Sequence, residues 1–315
     1  MLRHFFANDL IVDEASACTE AEILVPFHSS PKKLLLVGDP CQLPAMVQST
    51  TSTRMGLARS LQERLMSNGH DYTLLDTQYR MNPAISKWPM EEFYHTRVKD
   101  GENVKDGGYT SEVSTTAGTS PYCWVQVAGA EQKDKSQSTY NEEEAEVIVS
   151  ILLDMKNNNN LPENWFTSDR VRIITFYKAQ EEYIRFKLRQ YQLNVLVSTV
   201  DASQGCEADI VIVSFVRGSF GHMGFLKDIR RLNVALTRAK FQLICVGNHA
   251  AIHDLDSGSG NDTLKSMAKD AMVRGCDSWA KVKPLPPPPP PLHKKVKTGK
   301  KKYKNGKKKG KAKGK

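Results

Sequence analysis

The stretch VRIITFYKAQEEYIRFKLRQYQLNVLVSTVDASQGCEADIVIVSF, residues 171–215, decides the fold. Residues 171–176, 195–200 and 210–215 are short, mostly apolar, β-branched runs bounded by polar turns, the pattern of strands buried on both faces of a parallel sheet. Between the first two, residues 178–191 place Tyr183, Ile184, Leu188 and Tyr191 on one helical face. Strand, helix, strand at this spacing means an α/β protein with ligands at the C-terminal ends of its strands.

The same pattern extends in both directions. Runs at 10–12, 34–37, 122–127 and 243–246 read as further strands. Residues 141–156 read as a helix with Ala145, Ile148, Ile151, Leu152 and Met155 on one face, behind a Glu-rich first turn that suits the helix dipole. Segments 100–121 and 129–140 are polar, rich in Gly, Ser and Thr, and read as surface loops. Past His253 the pattern fades, recovers as a short helix near 263–273, and stops at prolines 286–291. Six prolines at about 3.1 Å each form a stiff spacer of roughly 19 Å.

Composition limits the functional classes. The 315 residues hold 44 Lys and Arg against 35 Asp and Glu, a formal +9. Residues 292–315 supply 13 Lys and no acid, so 44 − 13 leaves 31 basic against 35 acidic groups in residues 1–291, a body near −4. The basicity belongs to a tail whose Lys/Gly composition cannot repay the entropy of ordering. That tail reads as a solvated extension, a nuclear-targeting signal or a polyanion contact. No apolar run reaches the roughly 18 to 20 residues of a membrane span, and the start carries no secretory pattern. A soluble, unsecreted protein is expected, with no membrane partner. Six cysteines without C-x-x-C pairing suggest reduced thiols and no structural zinc.

Five polar motifs sit at strand ends or helix starts. The first, Asp13-Glu14-Ala15-Ser16, follows strand 10–12; adjacent carboxylates there suit phosphate chemistry on Mg²⁺, and equally a helix-capping turn. The second, Gly38-Asp39-Pro40-Cys41-Gln42-Leu43-Pro44, is a tight turn presenting a Gln amide, or an ordinary Gly-Asp-Pro turn. The third, Gln78-Tyr79-Arg80-Met81-Asn82-Pro83, sets an aromatic face beside a guanidinium, suited to a base and a phosphate, or simply starts a helix. In the fourth, residues 197–209, Gly205 allows close backbone approach to a phosphate. The fifth, Arg231 to Lys240, is a helical segment ending in a basic cluster. Each alone could be structural; five in fixed order carry the functional reading.

This ordered set resembles the superfamily 1 helicases, in the group that includes the nonsense-mediated-decay helicase and senataxin, over residues 9–249. The resemblance implies a P-loop NTPase of AAA type, an ATP hydrolase in which RecA-like parallel sheets with flanking helices clamp ATP while single-stranded RNA or DNA crosses their top. It implies that Asp13 is the Mg²⁺ ligand, Glu14 the general base, Gln42 the γ-phosphate sensor, and Arg80 and Arg238 the arginine fingers. Tyr79 would contact the nucleotide base, and Gly205 and Glu207 would line the nucleotide cleft. Thr175, Tyr177 and Thr199 would lie toward the nucleic acid, although Phe176 stands where the family usually has proline.

One family element is absent from the sequence. No G-x-x-x-x-G-K-[ST] occurs; the nearest similarity, residues 306–312, has the wrong glycine spacing and lies in the tail. Only 12 residues precede Asp13, so the expected organisation is the back part of a first RecA-like domain (1–76), a complete second one (77–254), a short helical extension (255–283) and a proline spacer with a Lys-rich disordered tail (284–315). A missing N-terminal segment or partner chain would supply the phosphate-binding loop, since the remaining catalytic residues are intact and a chain abandoned as a pseudo-enzyme would have been free to lose Glu14 or Arg238. The expected function is an ATP-dependent RNA or RNA–DNA helicase or translocase using ATP and Mg²⁺, nuclear or cytoplasmic, with the Lys tail favouring the nucleus. The alternative is a catalytically incomplete nucleic-acid-binding or scaffolding module.

Overall fold

The structure, a computed structural model, describes residues 6–113, 120–157, 161–217, 223–254, 262–276 and 284–290. The described residues form two units that touch through polar contacts. In the smaller, β1 (Asp9–Val12) pairs in parallel with β2 (Lys33–Leu36), Leu10 opposite Leu34. The larger holds a five-stranded sheet of β3 (Tyr122–Gln126), β4 (Val171–Thr175), β5 (Leu196–Thr199), β6 (Ala208–Ser214) and β7 (Ala239–Gly247) in the order β3-β7-β6-β4-β5, with every pair parallel.

The strand order follows from which runs can lose all their water. β6 lies at the centre and buries all seven residues, so nothing polar on it needs solvent. Its side chains alternate between two cores: Val211 and Val213 join Trp124, Phe215, Trp88 and Met267 on one face, while Ile210 and Ile212 join Ile148, Leu152, Ile184 and Leu188 on the other. Helices cover both faces, as parallel sheets require. α2 (Pro83–Tyr94), α5 (Ile229–Leu236) and α6 (Asp262–Val273) supply the first core, and α3 (Glu142–Lys156) with α4 (Lys178–Gln190) the second.

Local sequence explains the helix starts. Asn141 Oδ1 accepts from the Glu144 N–H ahead of three first-turn glutamates, satisfying an otherwise unpaired amide and placing negative charge on the positive end of the dipole. Asn82 caps α2 with Pro83 at the first helical position. α2 ends at Tyr94, where His95 turns left-handed at φ 52°.

Several expectations need correction. Strands 10–12 and 34–37 read as buried on both faces, yet each buries one face only: Ile11 is 66% exposed and Leu35 55%. Among the described residues no helix or further strand covers that side; the inner side packs Ala15, Ile23 and Leu61. Segments 100–121 and 129–140 are not simply loops. Glu131–Lys133 and Thr139–Asn141 form an antiparallel hairpin, Lys99–Asp100 pairs with Thr77–Gln78, and Val104 and Val113 are buried. These pieces are too short for a period-2 pattern to show. The helix expected near 263–273 is present as α6 and packs Leu264, Met267, Ala268 and Ala271 into the main core. The proline run is also tethered: the Tyr191 hydroxyl donates to Pro286 O at 2.8 Å and Gln192 Nε2 to Pro290 O at 3.3 Å. The Lys tail, 292–315, lies outside the described residues. All six cysteines are free thiols, and among the described residues no helix is long and apolar enough to cross a membrane.

Candidate active site

The C-terminal ends of β1 and β2 build the small unit's side of the site. The Val37 N–H donates to Val12 O and the Ala15 N–H to Val37 O, at 2.9 and 2.8 Å, continuing the ladder past both strands. Glu14 sits between these bonds in the left-handed region, φ 52°, which turns the chain and leaves Asp13 and Glu14 exposed. Gly38 allows this closeness, because a Cβ there would stand 2.8 Å from Ser16 N and 2.7 Å from Gln62 Oε1. The turn that follows is fastened by Asp39, whose Oδ1 accepts from the Cys41 N–H at 2.9 Å and whose Oδ2 accepts from Gln42 Nε2 at 2.9 Å.

The larger unit presents Arg238 between α5 and β7. It is 2% exposed. Its Nε donates to Val234 O at 3.0 Å, Nη1 to Cys206 O at 3.4 Å, and Nη2 to Gln42 Oε1 at 3.0 Å and Thr237 Oγ1 at 3.1 Å. All four acceptors are neutral. Burial, and then the charge of Arg80, hold its pKa down to about 10. A guanidinium removed from water with no anion hydrogen-bonded to it is costly, and an entering phosphate would relieve that cost. The guanidinium thus suits an anion such as a nucleotide phosphate, and the exposed Asp13 and Glu14 carboxylates are the oxygen donors a hard cation takes. Among the described residues no cluster of three or more His, Cys, Asp or Glu is placed to hold a metal ion.

The two units touch through further polar contacts. Gln204 Nε2 donates to Glu14 Oε2 at 3.0 Å. Arg230 Nη2 pairs with Glu63 of α1 (Leu61–Ser67) at 2.8 Å. The Tyr94 hydroxyl donates to Asp39 Oδ2 at 2.6 Å and accepts from Asn233 Nδ2 at 3.0 Å. Burial, reinforced by the Asp39 charge, pushes that phenol well above its ordinary range, so its proton stays on the oxygen that donates.

Among the sequence-predicted residues, Arg238 bonds to Gln42, while Glu14 bonds to Asp13 and to Gln204; the Glu14 charge reaches Arg238 electrostatically. Arg80 lies in a second group: its Nε pairs with Glu207 Oε2 at 2.7 Å, Nη1 donates to Thr237 O at 3.2 Å, and Lys240 Nζ holds the other Glu207 oxygen at 2.6 Å. The Lys240 hydrogen bond, ahead of Arg80, pulls the Glu207 carboxyl below its usual range. Tyr79 is exposed and its ring covers Gly101, where a Cβ would collide with it. Gly205 is left-handed at φ 71° and exposed.

Thr175, Tyr177 and Thr199 stand apart from this cluster. Thr175 is fully buried and its Oγ1 has no hydrogen-bond partner among the described residues. Tyr177 is 4% exposed, and its hydroxyl accepts from Arg217 Nε at 2.8 Å. Thr199 is half-buried at the end of β5. Tyr94, Gln204 and Lys240 are site residues that motif reading did not single out. The last two lie inside quoted motifs; Tyr94 ends a helix 12 residues beyond Asn82, and nothing local marks it.

Comparison with known proteins identifies the family. Two AAA domain family profiles match the chain, over residues 2–50 and 57–250. The Helicase sen1 of Schizosaccharomyces pombe is 36% identical over 275 residues, 85% of this chain and 16% of that protein. An uncharacterised ATP-dependent helicase of Methanocaldococcus jannaschii is 36% identical over 250 residues, 76% of this chain and 35% of its own length. A Drosophila melanogaster regulator of nonsense transcripts 1 homologue is 36% identical over 251 residues, 76% of this chain and 21% of its own. The chain thus spans between about a sixth and a third of these relatives. With its parallel sheet, its ordered motifs and a domain match over most of its length, the chain belongs to the AAA-domain superfamily 1 helicases, in the group of Sen1 and the regulators of nonsense transcripts.

Proposed function

We propose that this chain is the catalytic C-terminal portion of an ATP-dependent helicase or translocase that acts on single-stranded RNA or RNA–DNA hybrids. The observation that carries the reading is Arg238, a buried guanidinium whose hydrogen-bond partners among the described residues are all neutral, bonded to Gln42 and within electrostatic reach of Glu14. Asp13 would hold Mg²⁺, which would supply positive charge against the negative phosphate oxygens. Glu14 orients the attacking water and takes its proton. Gln42 senses the γ-phosphate, and Arg238 stabilises charge developing on the phosphate oxygens. Arg80, released from Glu207, joins it as the second finger. Tyr79 offers its exposed ring to the base, and Gly205 and Glu207 line the cleft. Thr199 lies toward the nucleic acid, with Thr175 and Tyr177 supporting that surface from within.

In this reading residues 1–76 are part of a first RecA-like domain, 77–254 a second, 255–283 a helical extension and 284–315 a spacer and tail. The phosphate-binding loop comes from a segment or partner outside this stretch. The protein acts in the nucleus or cytoplasm, the Lys-rich tail favouring the nucleus. A second reading, a non-catalytic nucleic-acid-binding module, is favoured by one observation, the lack of G-x-x-x-x-G-K-[ST] within these 315 residues.

ATP hydrolysis measured with and without single-stranded RNA separates the two, for this chain and for the polypeptide that also carries a phosphate-binding loop. Turnover stimulated by RNA in the latter, abolished by Glu14→Gln with ATP binding retained, is the expected result. Normal turnover in Glu14→Gln would overturn the assigned roles. Salt-sensitive RNA binding with no hydrolysis in either form would support the binding-module reading.

A further inference from the structure

Tyr94 ends α2 in the larger unit, yet its hydroxyl bonds to the smaller one. Asp39 Oδ2 accepts from two donors, Tyr94 at 2.6 Å and Gln42 Nε2 at 2.9 Å. On the other side, Asn233 Nδ2 of α5 donates to the Tyr94 oxygen at 3.0 Å and to Cys41 O at 2.9 Å. Gln42 is therefore held at both ends, its amide nitrogen by Asp39 and its Oε1 by Arg238 Nη2 at 3.0 Å. These bonds close one loop of contacts: Asp39, Tyr94, Asn233, the α5 turn, Arg238, Gln42 and back to Asp39.

We propose that Tyr94 is a positioning residue, a latch that ties the Asp39–Gln42 turn of one unit to the Asn233–Arg238 segment of the other. When the Gln42 amide turns toward a phosphate, Asp39 Oδ2 loses one of its two donors. The Tyr94 hydroxyl keeps that carboxylate bonded inside the cleft, so Gln42 can turn without water entering or the units parting. Asn233 fixes the hydroxyl and holds the Cys41 carbonyl, so movement of α5 is passed directly to the backbone beside Gln42. Arg238 and Gln42 can then engage a ligand together, because neither moves without the other.

Wild type, Tyr94→Phe, Asp39→Asn and the double variant form the test. Hydrogen exchange without nucleotide is read on segments 38–46 and 229–238, and kcat and KM for ATP are read in the full-length protein. Tyr94→Phe keeps the ring, so packing survives and only the latch is lost. It should speed exchange about tenfold in both segments and lower kcat about tenfold at unchanged KM, the scale of one hydrogen bond to a charged group. Asp39→Asn should reproduce the exchange change, with the double variant no faster than either single one. Release of one segment only, additive effects, or wild-type exchange in Tyr94→Phe would overturn the latch. Should Tyr94→Phe fail to fold, Asp39→Asn must still release 229–238 in the opposite unit, and protection there would refute it. The turnover arm rests on the ATP reading above and the exchange arm does not: coupled exchange in a protein without ATPase activity would uphold the latch and sink that reading.

Discussion

Replacing Glu144 by Gln should abolish a pH dependence of stability that the wild type shows. Glu144 lies in the first turn of α3, fully buried. Its Oε2 accepts from Ser214 Oγ at 2.6 Å and from the Val216 N–H at 2.9 Å, and among the described residues no ion pair brings it a cation. Burial pushes its carboxyl from 4.5 up to about 8, with the nearby Glu131 charge adding to the rise while the donors oppose it. Glu131 is itself paired with Arg217 at 2.6 Å; Asn141 and Gln180 are neutral. Because the folded pKa lies above the unfolded one, folding takes up a proton between these values. The contribution is full below pH 4.5 and is lost as pH rises to about 8. At 1.36 kcal/mol per pH unit the whole effect is at most about 5 kcal/mol, of which about 3 to 4 falls between pH 5 and 8. Gln has the shape of the protonated acid and does not titrate. In thermal melts the Tm of Glu144→Gln relative to wild type should therefore rise by roughly 10 °C from pH 5 to pH 8. Other titrating groups are common to both proteins and cancel. Parallel Tm curves across that range would refute the reasoning. The site matters for shape as well: Val216 holds φ 70°, a strained geometry for a β-branched residue that the Glu144 bond helps to maintain.

Three further outcomes are expected. Arg238→Ala in a phosphate-loop-containing protein should lower kcat by about 10³-fold or more, measured by steady-state ATP hydrolysis; a loss under tenfold would remove it from the chemistry. Gly38→Ala forces a Cβ to 2.8 Å from Ser16 N and 2.7 Å from Gln62 Oε1, which should cost about 1–3 kcal/mol in chemical denaturation, and an unchanged midpoint would show that the turn can give. Truncation after residue 291 removes 13 Lys, so the slope of log affinity against log salt for single-stranded RNA should flatten by about 0.7 per lost phosphate contact; an equal slope in filter-binding titrations would show that the tail makes none.

The five main strands were legible because β4, β6 and β7 must lie between neighbours with helices on both faces, and only continuous β-branched runs can do that. The helices 141–156 and 178–191 were legible for the same reason, their apolar stripes matching Ile148, Leu152, Ile184 and Leu188 in the core. Less legible was whatever depends on short pieces. The 131–141 hairpin and the 77–78 with 99–100 ladder have two or three residues per strand, too few for alternation to stand out against loop composition.

By itself, then, the sequence determined the α/β architecture and which residues stand at strand ends, since periodicity and turn chemistry act over neighbours a few positions apart. Only the tertiary structure decided which of them meet. Glu14 and Gln204 are 190 positions apart, and Gln42 and Arg238 are 196 apart; no local pattern records such pairings. Nor does any mark Tyr94, whose hydroxyl acquires its role only because folding sets the end of α2 against Asp39, or Thr175 and Tyr177, which packing removes from the surface. Burial does the rest: the same guanidinium that would be an ordinary surface charge becomes, at 2% exposure and with neutral partners, a group poised for an anion.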